Sequence, residues 1–360
     1  MNILLDISHP AHVHLQRNMY RNLIHDGHQV YVIAKPTKAI VDLLNLYHIP
    51  FTPLGSNRDS LWGKAWLQIT NFFYLWYFVL KHKIDIGVHG MTIAWVSRLT
   101  RMSSILLDDD DDDVEPLYAT YAHPFADVII SPEGIHRKSK KIVYVSSYHE
   151  LSYLHPHEFE PDPTVLQDVG IKEGEPYFIL RFNAFKAHHD VGVKGLSIED
   201  KRRLIDYLKT RGRVFITTER NIDDEFKPYQ LKVSPDKAHS LMYYATMFIG
   251  DSQTMTSEAA VLGTPAVKCN SFAGKLSVPN EIEQRYGLCY SFLPSESEAF
   301  FAKIDELLAI PDLKLEWQQR RKRMLKDKID VTAFYTWFIE NYPESVKTMQ
   351  QNPDFQKNFK

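Results

Sequence analysis

Cysteine is scarce: among 360 residues only Cys269 and Cys289 occur. A disulfide framework is therefore not what organises the chain, and the usage fits a reducing cytoplasm. A concentrated basic block is missing as well. With 42 Lys and Arg against 45 Asp and Glu, the formal net charge is −3. Nucleic acid is not an expected partner, because binding it needs a dense positive surface. Long apolar runs are also lacking. The richest, NFFYLWYFVLKHK at residues 71–83, is far shorter than the ~20 residues that a membrane span takes. No signal peptide is expected, since MNILLDISHPAH enters an apolar strand without a basic region or cleavage site.

What is present is an ordinary globular composition, 44% apolar and 24% charged, in a chain long enough for two domains. Short apolar runs alternate with helical patterns. NILLDIS, HQVYVIA, DIGVHG, SSILLD and ADVIIS read as strands in the first half. PYFILRF, RVFITTE, MFIGD and TPAVKC read so in the second. Continuous apolar strands separated by helices indicate parallel sheets covered on both faces. The α/β pattern predicts two Rossmann-like domains, residues 1–150 and 166–330, with their sheets facing a central cleft. The aperiodic, His- and Pro-rich stretch SSYHELSYLHPHEFEPDP places a linker at residues 151–165. Residues 331–360 form a helical tail that is expected to pack back on the first domain.

The most informative stretch is FIGDSQTMTSEAAVLGTPAV, residues 248–267. A strand ends, a polar turn follows, and a helix begins on small residues. Ser252, Gln253 and Thr254 place N–H groups and hydroxyls at that helix N-terminus, a setting that attracts phosphate. Glu258, on the second turn, has the chemistry to accept hydrogen bonds from ribose hydroxyls. Arg181 follows the strand YFIL, where a guanidinium can meet a diphosphate with paired hydrogen bonds. Other polar residues near strand ends or helix starts are Thr218, Glu219, His188, His189 and His239. A capped helix or an interdomain ion pair would account for many of the same residues.

These pieces resemble the donor site in the second domain of GT-B enzymes, the nucleotide-sugar glycosyltransferases and UDP-N-acetylglucosamine 2-epimerases. More closely, residues 1–290 are similar to a bacterial and archaeal family known as domain of unknown function 354. The likeness rests on DISHPAHVHLQRN, DDDDDDVE…HPFADVIISP, YHELSYLHP, ILRFNAFKAHHD, DKAHSLMYYA and GDSQTMTSEAAVLGTPA. The resemblance implies a GT-B fold with a nucleotide-sugar partner, UDP-type by preference, and a setting in surface polysaccharide assembly. It makes Arg181, His188, His189, Thr218, Glu219, His239, Ser252, Gln253, Thr254 and Glu258 donor-binding residues.

In the first domain, Ala11-His12-Val13 stands where GT-B transferases often carry Gly-His-Val. The resemblance makes His12 the base toward the acceptor hydroxyl, a role suited to a group that titrates near neutral pH. The acceptor is then a glycan or a lipid-linked glycan. Six aspartates, Asp108 to Asp113, leave the carboxyl end of the strand SILL. Asp108 and Asp109 are acceptor-side or catalytic candidates, and Asp111 to Asp113 read as solvated, since six packed like charges are costly. No metal or tightly bound cofactor is expected; the aspartate run is the place where a loosely held Mg²⁺ would fit. His9, His12 and His14 have a spacing that suits zinc poorly.

Transferase and 2-epimerase differ at sequence level. The epimerases show Asp-Ser-Gly-Gly at the donor turn, where this chain has Asp251-Ser252-Gln253-Thr254. They carry His-Gly-Asp where this chain has His89-Gly90-Met91. The Thr-Glu-Arg-Pro-Glu stretch of the epimerases is also absent, KCNSFAG standing in its place. The two missing catalytic pieces favour a glycosyltransferase, metal-independent as GT-B enzymes normally are. An acid at Asp108 or Asp109, where the epimerases also have one, keeps an epimerase-like enzyme as the alternative. A non-catalytic nucleotide-sugar-binding partner in an assembly complex is a third reading. The aromatic segment from Trp62 to Leu80 either covers the sheet or touches a membrane surface, which would make the protein cytoplasmic and peripheral to the inner face.

Overall fold

A computed structural model describes residues 1–55, 61–137, 139–172, 174–182, 195–218 and 222–360, with backbone alone at 61, 62, 64 and 65. The chain divides into two compact units. The first comprises Met1–Glu158 and Lys328–Lys360, the second Phe159–Asp327.

The sheet of the first unit contains β1 (Asn2–Ile7), β2 (Gln29–Ala34), β3 (Thr52–Pro53), β4 (Ile86–Val88), β5 (Ser103–Leu107), β6 (Val128–Pro132) and β7 (Ile142–Val145). All neighbours run parallel in the order β3-β2-β1-β4-β5-β6-β7. The sheet of the second unit contains β8 (Tyr177–Arg181), β9 (Arg213–Thr217), β10 (Met247–Gly250), β11 (Ala266–Cys269) and β12 (Cys289–Phe292). Its order is β12-β11-β10-β8-β9, again parallel throughout. The alternation read from the sequence is realised, and the strand interiors are buried because helices cover both faces. Three strands escaped the sequence reading: β3, β7 and β12. They are edge strands of two to four residues, too short to show a period.

Strand order reverses once in each sheet, between β1 and β4 in the first and between β8 and β10 in the second. At such a reversal the crossover helices leave on opposite faces and open a crevice outside the carboxyl ends, where parallel α/β sheets take their ligands.

The helix Leu61–His82 buries Leu75, Phe78 and Val79 in a cluster with Leu4, Ile33 and Ile93. Its other side leaves Trp66, Ile69, Phe73, Tyr74, Trp76, Tyr77 and Leu80 exposed. The chain passes between units after Glu158 and after Asp327. Within the 151–165 stretch, Leu151–Leu154 form a short, fully buried helix of the first unit. The C-terminal helices Val331–Glu340 and Glu344–Gln351 also belong there. Thr332 Oγ1 donates to the Ser152 carbonyl at 2.7 Å, and the Ile329 N–H to that of Ser146 at 3.0 Å.

Candidate active site

Each reversal point carries a group of polar residues, and the two groups differ in kind.

In the first unit, Pro10 opens the helix Pro10–His25, and the His9 ring caps it by accepting from the Ala11 N–H at 3.2 Å. That early start places His12 on the first turn beyond β1. Across the reversal, β4 is followed by His89 and Gly90, both in the left-handed region at φ 65 and 83. Left-handed backbone at a non-glycine residue is sparsely populated and recurs at functional sites. Gly90 has a second reason to be glycine: a Cβ there would lie 1.9 Å from Asp6 Oδ2. This backbone brings the His89 ring edge-on to His12, with centroids 4.2 Å apart.

Their hydrogen bonds fix the proton positions. His89 Nδ1 lies 2.9 Å from the Leu107 carbonyl, so it is the donor and Nε2 carries the lone pair. His12 Nδ1 accepts from the Ser8 N–H at 3.4 Å, which leaves the proton of the neutral ring on Nε2. Burial, together with its histidine neighbours His89, His9 and His149, holds His12 well below the ordinary imidazole range. Burial, and then His149, lower His89 to about 4. Both rings are neutral at pH 7.

The aspartates divide differently from the sequence expectation. Asp108 is buried and accepts from His123 Nε2 at 2.6 Å and from the Arg137 guanidinium at 2.7 Å. Burial works to raise its pKa, but the His123 hydrogen bond and the Arg137 charge outweigh it, so the carboxylate sits below its usual range. Arg137 also binds Asp112 at 2.6 Å and the Asp110 carbonyl. Asp112 is exposed, as expected, and in addition ion-paired; Arg137 reduces the cost of gathering like charges. Asp109 takes another partner, His149 Nδ1 at 3.0 Å. Burial works to lower His149, but the Asp109 carboxylate overrides it and raises the pKa. Among the described residues, His149 Nε2 is buried without a hydrogen-bond partner. The result is a neutral pair, His12 and His89, within electrostatic reach of His149, the one histidine of the three that favours its charged form.

In the second unit, sheet register aligns Gly250 with Arg181 and Lys268, and Arg181 with Thr217. Arg181 is thus on the strand beside β10, level with the start of the turn that precedes the helix Gln253–Leu262. Gly250 is required there, since a Cβ would lie 2.2 Å from the Arg181 carbonyl. Ser252 caps the helix Gln253–Leu262, its Oγ accepting from the Met255 N–H at 3.4 Å. Thr254 is exposed at the helix start. The Gln253 side chain is held by Lys268, a lysine with 1% exposure whose pKa burial lowers. Glu258, 6% exposed, accepts from His239 Nε2 at 3.1 Å. Thr218 follows the end of β9 and is half-buried. His188, His189 and Glu219 lie outside the described residues.

The structure therefore brings together His12 and Asp109 through His149, and His239 and Glu258 directly. Asp108 is hydrogen-bonded to His123 and Arg137 and acts on His89 and His149 through its charge. The sequence reading missed His89, His123, Arg137 and His149 as site residues. His149 stood in the quoted piece YHELSYLHP, beside the stretch read as a linker, and His123 in HPFADVIISP. Arg137 had no signal. Among the described residues, His155, His157 and Asp330 form a group able to hold a metal; it is considered below.

No curated protein matches the chain in sequence. Solved structures do match it in architecture. Spinosyn forosaminyltransferase SpnP gives a TM-score of 0.65 at 13% identity, covering 96% of this chain and 99% of that one. S. aureus MnaA, solved with UDP, gives 0.66 at 11% identity, covering 98% and 97%. UDP-GlcNAc 2-epimerase from Neisseria meningitidis, bound to UDP-GlcNAc, gives 0.61 at 11% identity, covering 91% and 99%. At such identities the likeness carries the fold alone, and that fold is GT-B, shared by glycosyltransferases and UDP-GlcNAc 2-epimerases. In sequence, residues 1–283 match the model of one family, and the chain belongs to it: the family described as protein of unknown function (DUF354).

Proposed function

We propose that the protein is a nucleotide-sugar-dependent glycosyltransferase. It would move a sugar from a UDP-type donor to a glycan or lipid-linked acceptor in surface polysaccharide assembly, at the cytoplasmic side of the membrane. The observation that carries this is the reversal point of the second sheet. Arg181 stands level with a capped helix N-terminus there, and the buried Glu258, fixed by His239, sits one turn further on. Arg181 and the Ser252–Thr254 turn would bind the departing diphosphate, and Glu258 the ribose. UDP and UDP-GlcNAc in solved structures of the same fold support a UDP-type donor. Because guanidinium and helix N–H groups supply the positive charge, the reaction needs no resident metal.

In the transfer step the acceptor oxygen bonds to the anomeric carbon. The bond from that carbon to the diphosphate oxygen breaks, and its electron pair leaves with the diphosphate. The acceptor's proton passes to the neutral His89, whose Nε2 carries the lone pair, and the Asp108 and Asp109 carboxylates stabilise the resulting cation. Holding the reactants and receiving one proton are the main demands on such a site.

The test is a thermal-shift screen against UDP, GDP, CDP, dTDP and their sugars, followed by assay of nucleotide release with glycan acceptors. A stabilising shift with one nucleotide, lost in Glu258→Ala, is expected, because a ligand that binds only the folded state must stabilise it. No shift with any nucleotide would end the proposal. Deuterium entering the sugar from solvent without transfer would favour the 2-epimerase chemistry of the fold's other branch. Binding without turnover would favour an assembly partner.

Membrane contact is proposed for the helix Leu61–His82. Trp66 is 58% exposed, and Phe73 and Tyr77 are each 60% exposed. The helix has no acidic residue, and Lys81 and Lys83 are exposed at its end. An aromatic stripe with flanking lysines suits the interface of an anionic bilayer; no helix among the described residues is long and apolar enough to cross one. Co-sedimentation with phosphatidylglycerol vesicles should fall sharply when Trp66, Phe73 and Tyr77 are all changed to Ser. Unchanged binding would reject the contact.

A further inference from the structure

His155 and His157 flank Pro156 in a tight turn of the first unit. The Glu158 N–H donates to the His155 carbonyl at 2.8 Å and closes that turn. The turn brings the two imidazoles edge-to-face, with centroids 4.5 Å apart. Asp330 arrives from a distant part of the chain. It caps the helix Val331–Glu340, and its Oδ1 accepts from the Thr332 and Ala333 N–H groups at 3.1 Å each. Those two bonds fix the carboxylate plane and turn Oδ2 toward His157 Nδ1, 3.2 Å away. One ligand atom from each of the three residues lies within 4.8 Å of the others.

We propose that His155, His157 and Asp330 form a binding site for a divalent transition-metal ion of the zinc type. Zinc takes imidazole nitrogen and carboxylate oxygen at about 2.0–2.2 Å in tetrahedral geometry. Two such ligands on one ion stand roughly 3.3 Å apart, close to the separation already present between His157 and Asp330. With all three ligand atoms within 4.8 Å of one another, closing on an ion takes a small shift of side chains, of which the exposed His157 is the freest to move. His155 and Asp330 are buried, while His157 reaches solvent. An ion therefore has a path in, and water can take the fourth position. Two nitrogens and one oxygen select zinc, nickel or copper over calcium or magnesium, which prefer all-oxygen sites. The hydrogen bonds to Asp330 Oδ1 act as the outer support that metal-binding carboxylates usually have.

The position suggests what the ion does. Chain leaves the first unit just after Glu158 and re-enters it at Lys328. The ion would tie these two segments together, fastening the start of the C-terminal helices to the turn after Leu151–Leu154. This site stands apart from the transferase proposal and can fail without touching it.

The test uses the full chain after EDTA treatment and dialysis. Zinc chloride is titrated in by calorimetry, with the thermal midpoint read in parallel. One tight site and a raised midpoint are expected, because an ion that binds the folded state stabilises it. Two variants separate metal binding from folding. His157→Ala changes an exposed side chain, and Asp330→Asn keeps a good helix cap while removing the charge. Each should weaken zinc binding by tenfold or more with little change in the metal-free midpoint. An absence of any tight site in the wild-type protein would overturn the proposal. So would a site unchanged by both variants, which would place the zinc on other histidines.

Discussion

The carboxyl edges of the two sheets have the same topology and opposite chemistry. At the first, His12, His89, His149 and Asp108 gather beside Asp109; burial pushes the His12 and His89 pKa values down, while carboxylate neighbours raise that of His149 and hydrogen bonding and the Arg137 charge lower that of Asp108. At the second, among the described residues, the buried Glu258 meets His239 and the buried Asp251 precedes a helix start that carries hydroxyl, amide and cationic side chains. An edge filled with coupled titratable groups is suited to moving protons. One built on helix N–H groups and a guanidinium is suited to holding an anion. A single strand arrangement supports both because the residues just beyond the strands, not the strands, carry the chemistry.

The largest break in this contrast should come from Arg137→Met. Asp108 would keep His123 but lose its strongest counter-charge in a buried site. Stability should fall by about 3–5 kcal/mol, the usual cost of stranding half of a buried pair, as measured by urea unfolding. Adding Asp108→Asn should recover part of the loss; no recovery would mean that Arg137 acts through Asp112 or the Asp110 carbonyl instead.

Acid should act next, and on the first edge. His89 and His12 are harder to protonate folded than unfolded, so they stabilise the protein above pH 6.5, and that contribution is lost as pH falls toward 4. For His89, lowered from 6.5 to about 4, the loss approaches about 3 kcal/mol at 1.36 kcal/mol per pH unit. Unfolding measured from pH 7 to 4 should show a shallower decline in His89→Gln. An equal decline would assign acid sensitivity to other groups.

Glu258→Ala sharpens the comparison from the other side. It removes the Glu258 acceptor from the buried His239 Nε2–H, which costs about 1–3 kcal/mol. The first edge should be unaffected, so the acid profile keeps its shape while the nucleotide-induced shift disappears. Ser252→Ala is the mildest change, about 1 kcal/mol for a lost helix cap, read as a lower thermal midpoint. A larger loss would show that Ser252 holds more than the Met255 N–H.

How much was legible beforehand varied from one residue to the next. Ser252 and Glu258 could be placed because a strand, a turn and a helix follow one another there within twenty residues. Gly90 appeared only as part of a mismatched motif; its positive φ and its approach to Asp6 are not visible in a string. The aspartates were harder still. Six identical residues give no hint that one is buried against Arg137, another is paired with His149, and a third is exposed yet ion-paired. Asp108 and Arg137 are adjacent only because β5 and β6 pair side by side and the loops beyond them fold to one end.

By itself the sequence determined the alternation of strand and helix, the parallel sheets and the capped turn between β10 and the helix Gln253–Leu262. Those follow from local periodicity, capping and composition, which act over a few residues. Tertiary structure alone decided which histidines are neutral, which aspartates are paired, and that His155 and His157 meet Asp330. Charge state depends on burial and on neighbours brought from far along the chain, and neither is written in the order of the residues.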